Sequence, residues 1–376
     1  MKYTPKVIRI AVSAMFFMAG LVFSSWASRI ATIQQKLHLS DAALGAVLFA
    51  LPIGLIISLP ISGWAVTKIG SRKVVAAALA LYGIALVSLG LATNVYALAG
   101  CLVVFGLASN AVNISVNTQG VATEAMYPKP ILASFHGLWS LAGFLGAGIG
   151  TLMIGQDILP APHFTAIAII TIIAIVICWK YLHNDHSHED STPAFVMPDK
   201  SLITLGLIAF CSMVVEGAMF DWSVVYFKKI VHAHGAWEGA GYTAGMGFMA
   251  AGRFVADWFS HKFGLKRTLQ LSGALSATGL LIVVIFPYLY PAIIGFMFVG
   301  AGISSVVPMV YSAAGKSTTM KAGAAIAAVS TISFMGFLIG PPIIGFLSEA
   351  FTLQMSFLFL VAMAICVVVF STKAKV

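Results

Sequence analysis

The chain has 376 residues, 60% of them hydrophobic and only 9% charged. A soluble fold of this length cannot hide that much apolar surface, so the composition excludes one and points to a polytopic membrane protein. The formal net charge of +9 would suggest nucleic acid only if the cations shared one polar surface, and their placement excludes that.

Cutting the chain at its polar breaks leaves twelve apolar segments, at 8–33, 42–66, 74–93, 95–123, 131–154, 163–182, 201–227, 239–260, 268–287, 290–315, 322–347 and 353–371. With the N-terminus inside, most of the 21 Lys and Arg fall on the cytoplasmic side, and only Arg29, Lys36, Lys228 and Lys229 lie outside. Arg253 falls within a span. This asymmetry predicts both termini on the cytoplasmic side. The four cysteines (Cys101, Cys178, Cys211, Cys366) sit in apolar segments without metal-ligand spacing and read as packing residues. The first segment has no A-x-A-like cleavage site before its polar end and reads as a retained helix.

That first segment ends in W-A-S-R-I-A, residues 26–31, where Trp26 and Arg29 fit an interfacial anchor. Ser40 and Asp41 then form an N-cap signal for the second helix, which Pro52, Gly54, Pro60 and Gly63 make thin and bendable. A basic turn follows, with Thr67, Lys68, Gly70, Arg72 and Lys73. An offset of 194 residues superposes Lys68 on Lys262, Gly70 on Gly264, Lys73 on Arg267 and Phe105-Gly106 on Val299-Gly300. Removing one residue brings Ser140, Gly143, Phe144 and Leu145 onto Ser333, Gly336, Phe337 and Leu338. A weaker match at offset 196 pairs Trp26 with Trp222, so that Ser25 stands where the second half carries Asp221. The chain therefore reads as a duplication: a six-helix half at 1–182, a linker at 183–200 and a second six-helix half at 201–376.

On the fourth helix, Asn110, Asn113, Asn117 and Glu124 form one narrow stripe. Amides in hydrocarbon need partners, so the stripe either bonds other helices or contacts substrate. Glu124, near the inner end, fits a charge cluster with the basic turns. The fifth helix pairs His136 with Trp139 on one face and follows with a glycine seam. His136 reads as a satisfied hydrogen-bonder or as a proton carrier. His183, His186 and His188 in the linker lack fixed ligand geometry, so the linker reads as a solvated connection and no metal is expected.

The seventh helix carries E-G-A-M-F-D-W-S-V-V-Y-F, residues 216–227, with two acids and large aromatics at membrane depth. Such acids are costly and usually face a protein interior or a cavity. At about 100° per residue, Glu216, Phe220, Ser223 and Phe227 share a face, and Asp221 lies about 140° from Glu216. The two acids thus serve different neighbours. Glu216 is the expected proton carrier and Asp221 its rival; hydrogen bonding to a neighbouring helix is the bland alternative. Phe220, Trp222 and Tyr226, with Tyr311 on the tenth segment, are candidate substrate contacts. On the eighth, Arg253 and Asp257 are spaced for an i, i+4 pair, or Arg253 receives an anionic substrate group. No nucleophile elbow, Walker loop, zinc-protease motif or dinucleotide turn occurs, so neither an enzyme nor a cofactor is expected.

Two six-helix halves with a basic turn after the second and eighth helices resemble the major facilitator superfamily. The stretches at 26–45, N-T-Q-G-V-A-T-E (117–124), F-H-G-L-W-S (135–140), 216–227 and A-G-R-F (251–254) look like its fucose permease-like branch. The resemblance implies an all-α membrane fold of two pseudo-twofold-related halves, with helices 1, 4, 7 and 10 around a central cavity. It also implies alternating access by a monomer, with Lys68, Arg72, Lys73, Glu124, Asp257, Lys262 and Arg267 in gating roles. Thr67 and His261 stand where the family's loop motif usually has an acid. Gly340-Pro341-Pro342 lies on the eleventh helix, and the fifth lacks the Gly-Pro signature of drug–proton antiporters. The expected function is proton-coupled symport of a small polar solute. Efflux of drugs or metabolites, a non-transporting sensor and a lipid-handling protein are the alternatives.

Overall fold

A computed structural model describes residues 3–128, 131–183, 200–317, 320 and 322–374, apart from the side chains at 133, 200, 201, 257, 261, 322–324 and 327. Most of the expected linker, including His186 and His188, thus lies outside the described residues. Those described form helices joined by short connections, without a strand: in hydrocarbon a backbone must satisfy its own polar groups, and a helix does so within one segment.

The helices are α1 (Pro5–Ala27), α2 (Ile30–Lys36), α3 (Asp41–Leu48), α4 (Ala50–Ile69), α5 (Ser71–Leu91), α6 (Val95–Glu124), α7 (Leu132–Gly155) and α8 (Pro160–Cys178). They continue with α9 (Lys200–Lys229), α10 (Ala240–Ile285), α11 (Leu289–Ile303), α12 (Val306–Ala314), α13 (Ala322–Ala350) and α14 (Leu353–Lys373). Several caps follow from sequence. Asn94 accepts a bond from Ala97 N–H (2.9 Å), Thr352 from Met355 N–H (3.1 Å) and Ser40 from Ala43 N–H (3.2 Å).

Proline explains where two spans divide. Pro52 has no N–H for the Leu48 carbonyl, and the second span breaks at Phe49 into α3 and α4. Pro308 likewise cannot bond Ser304, and the tenth span breaks there into α11 and α12. α10 is 46 residues long, about 69 Å if straight and more than twice the hydrocarbon thickness. It is not straight. Gly264 (φ 76°, ψ 161°) divides it into two limbs. Among the described residues eleven helices are long and apolar enough to cross a membrane; with the limb before Gly264 the count is compatible with twelve.

Two compact units form, residues 1–39 with 47–189, and residues 40–46 with 190–376. In the first, α1 packs on α7, α6 and α8, α4 on α6, and α5 on α6 and α8. In the second, α9 packs on α13, α14 and α12, and α10 on α11 and α14. α9 thus holds the place in its unit that α1 holds in the first. The repeat extends to single contacts. A Cβ on Gly106 would strike the Leu51 carbonyl, and one on Gly300 the Gly245 carbonyl; both pairs are related by the 194-residue offset. Gly70 (φ 88°) and Gly264 (φ 76°), also so related, share a backbone conformation that disfavours a side chain.

Candidate functional site

In the second unit, small residues bring α9 against α13: Gly206 meets Ile332, Gly336 meets the Phe210 backbone and Gly217 meets the Phe337 ring. The neighbouring face of α9 turns Glu216 to α10. Its Oε1 lies 3.6 Å from Arg253 Nη2, with both side chains mostly buried. The i, i+4 spacing had suggested Asp257 as the partner of Arg253. Among the described residues Arg253 pairs across helices with Glu216; the Asp257 side chain lies outside those residues.

Asp221, one turn further along α9, is only 8% exposed and makes no hydrogen bond or ion pair among the described residues. The next two side chains repeat that condition: Trp222 Nε1–H and Ser223 Oγ are buried without partners. Phe220 stands against Tyr242 and Phe337, with ring centroids 6.4 and 6.1 Å away. The Tyr311 hydroxyl is likewise buried and unpartnered. Tyr226 differs from its expected role. Its hydroxyl donates to Val283 O (2.8 Å) and its ring stacks on Phe357 at 4.5 Å, so it packs α9 onto α10 and α14 and offers no free polar group.

In the first unit, α6 keeps the amide stripe. Asn117 Nδ2 donates to Asn113 O (2.9 Å) and Asn113 Oδ1 (2.6 Å). Asn113 is exposed, while Asn110 is buried with Nδ2 unpartnered. α7 sets His136 and Trp139 beside aromatics of α1, His136 against Phe16 (5.3 Å) and Trp139 against Phe23 (6.2 Å). One buried group was missed in the sequence. Gln119 donates to Ser71 Oγ (2.7 Å) and His183 O (2.9 Å), and accepts from His183 N–H (2.8 Å). It ties α5, α6 and the chain's exit from the unit together. Gln119 lies off the asparagine stripe, so only its polarity inside an apolar run signalled it.

The charged ends behave in two ways. Lys36 donates to Gly90 O and Ala92 O at the carboxyl end of α5 (3.0 and 2.9 Å), and Arg29 to Ile158 O after α7 (2.6 Å), where a cation meets the negative end of the helix dipole. In the second unit Lys228 pairs with Glu238 (3.1 Å) and Lys229 with Asp41 Oδ1 (2.6 Å), whose other oxygen accepts from Ser348 (2.6 Å). Among the described residues the basic turns show no such ion pairs. Lys68, Lys73, Lys266 and Arg267 have no carboxylate partner among the described residues, and Arg72 stacks on Trp179 at 4.5 Å. Glu124, expected to answer them, instead accepts from Ile131 and Leu132 N–H at 2.7 Å each and caps α7.

An apolar groove of about 430 Å³ between α13 and α14, lined by Leu347, Phe351, Met355 and Leu358 among others, contains none of these groups. The polar interiors of the two units, each carried by spanning helices, define a polytopic membrane protein of the transporter type. The chain belongs to the Major Facilitator Superfamily, whose profile matches residues 11–319 and 239–374. It is 32% identical over 342 residues to an uncharacterized MFS-type transporter of Yersinia pestis, covering 91% of this chain and 89% of the relative. It is 30% identical to the membrane protein MosC of Rhizobium meliloti, over 95% of this chain and 88% of that one. Among solved structures it resembles the nucleoside transporter NupG (TM-score 0.79, 11% identity, 98% of this chain and 100% of that one). It also resembles a bacterial homologue of the lysosomal transporter Spinster (TM-score 0.77, 14% identity, 100% and 97% covered). At such identities the resemblance concerns the fold.

Proposed function

We propose that this protein is a proton-coupled secondary transporter that takes up a small polar solute across the bacterial inner membrane, with both termini cytoplasmic. Membership in a transporter superfamily and the transporter folds of its neighbours support the class. The excess of cations at one set of helix ends supports the orientation.

One observation carries the coupling: α9 holds two buried carboxylates in opposite situations, Glu216 facing Arg253 and Asp221 facing no charged partner among the described residues. Protonating Glu216 removes the carboxylate charge that faces the Arg253 guanidinium, which is costly. Protonating Asp221 breaks no ion pair among the described residues. Asp221 is therefore the coupling group in this reading, displacing Glu216 from the role its sequence context suggested. The Glu216–Arg253 pair becomes a polar element that an ionic or hydroxylated solute can engage. The internal repeat points the same way. Ser25, which stands at the place of Asp221, bonds back to Leu21 O (2.8 Å). The first unit thus needs no acid there for its packing.

Purified protein in liposomes tests this. Asp221→Asn should abolish uphill accumulation under an imposed pH gradient while leaving solute exchange intact. Glu216→Gln should weaken both. Retained uphill accumulation in the Asn variant would remove Asp221 from the role.

A further inference from the structure

We infer that each basic turn is a binding site for the headgroup of an anionic phospholipid. The observations fall separately within the two units and repeat between them.

In the first unit, α4 presents Ile53, Ile56, Ile57 and Trp64 to its surroundings, a run spaced to lie along one face. Such a face suits acyl chains. It ends in Trp64, 61% exposed, and one helical turn later in Lys68. Gly70 then reverses the chain, and α5 opens with Arg72 and Lys73. In the second unit the first limb of α10 presents Phe248, Phe254, Val255 and Trp258 in the same way. Trp258 is 56% exposed, and Lys262 Nζ lies over its ring at 4.7 Å. Gly264 reverses that chain ahead of Lys266 and Arg267. Trp64 and Trp258 are themselves related by the 194-residue offset, like the lysines and glycines that follow them.

An exposed tryptophan at the foot of an apolar stripe, followed by lysines, is the arrangement that settles at a bilayer's headgroup level. What makes it a site for an anion is the lack of a carboxylate counter-charge among the described residues. The four cations at the opposite helix ends each meet a carboxylate or a carbonyl within the protein. Lys68, Lys73, Lys266 and Arg267 meet none among the described residues, and Glu124 is spent capping α7. Lipid phosphate supplies the missing charge. A net-anionic headgroup supplies more of it than a zwitterionic one, whose own ammonium competes for the phosphate.

The inference requires the membrane-spanning fold but not the transported solute, so lipid selectivity and transport are measured independently. Delipidated protein is offered equal amounts of chain-matched phosphatidylglycerol, phosphatidylethanolamine and phosphatidylcholine, and retained lipids are counted by native mass spectrometry. Phosphatidylglycerol should be retained preferentially. Lys68→Gln with Lys73→Gln should lose one tight adduct, and Lys266→Gln with Arg267→Gln the other. Each cation removed should weaken retention roughly fivefold. These exposed side chains make no hydrogen bond, ion pair or ring contact among the described residues, so the variants should keep their helical content. Lys68→Arg with Lys73→Arg should keep the adduct. Equal retention of the three lipids overturns the inference, as does unchanged phosphatidylglycerol selectivity in both glutamine variants.

Discussion

Glu216 and Arg253 illustrate how much a single residue's meaning depends on its partner. Each alone is an expensive charge in an apolar helix; facing each other at 3.6 Å they form a buried pair. Breaking such a pair from one side leaves the other charge uncompensated, at about 3–5 kcal/mol. Arg253→Gln should therefore lower the thermal-unfolding temperature sharply, and adding Glu216→Gln to it should recover part of the loss. If the double variant is no more stable than the single, the two side chains do not interact. Gln119 offers a second test. Its three bonds join three parts of the first unit. Gln119→Ala deletes all three, which should cost about 1–3 kcal/mol in thermal-shift measurements.

At the scale of the element, helix crossings depend on where glycines fall. On α6, Gly106 abuts the α4 backbone, while a Cβ at Gly100 would meet nothing within 4 Å. Gly106→Ala should force the helices apart and destabilise by about 1–3 kcal/mol. Gly100→Ala, in the same helix, should stabilise by about 0.5–1 kcal/mol through its lower unfolded-state entropy. Equal effects would show that the α4–α6 contact does not govern stability. Gly264→Ala belongs to a different mechanism. There space is open, but the positive φ disfavours a side chain, and about 1–2 kcal/mol of strain is expected.

For the whole molecule, the notable assignment is residues 40–46, which begin a span of the first half in sequence but pack with the second unit. Asp41 accounts for much of this attachment, receiving Lys229 on one oxygen and Ser348 on the other. Lys229 is substantially exposed, so this pair is worth no more than about 1 kcal/mol. That is the scale of a fastening that opens readily. Asp41→Asn should speed amide hydrogen exchange across α3 several-fold while leaving α9 unchanged. Adding Lys229→Gln should bring no further change.

Much of the architecture was legible in the chain because its signals are local. Apolar length marks spans, Pro52 and Pro308 lie within one turn of the breaks, and the 194-residue repeat matches Gly70 to Gly264 and Gly106 to Gly300 with the contacts each makes. The membrane imposes this directness, since a backbone in hydrocarbon has few alternatives to a helix. Partner choice was not legible. Sequence spacing offered Asp257 to Arg253, the basic turns to Glu124 and a substrate to Tyr226. The fold set Glu216 against Arg253, with the Asp257 side chain outside the described residues, and gave Glu124 to the amide groups opening α7 and the Tyr226 hydroxyl to Val283. Each choice turns on a few ångströms across a helix crossing, and those distances are set by small-residue contacts between segments far apart in the chain. Sequence alone determined which polar residues are costly at membrane depth; only the tertiary structure decided which of them are paired, and among the described residues it left Asp221 without a hydrogen bond or ion pair.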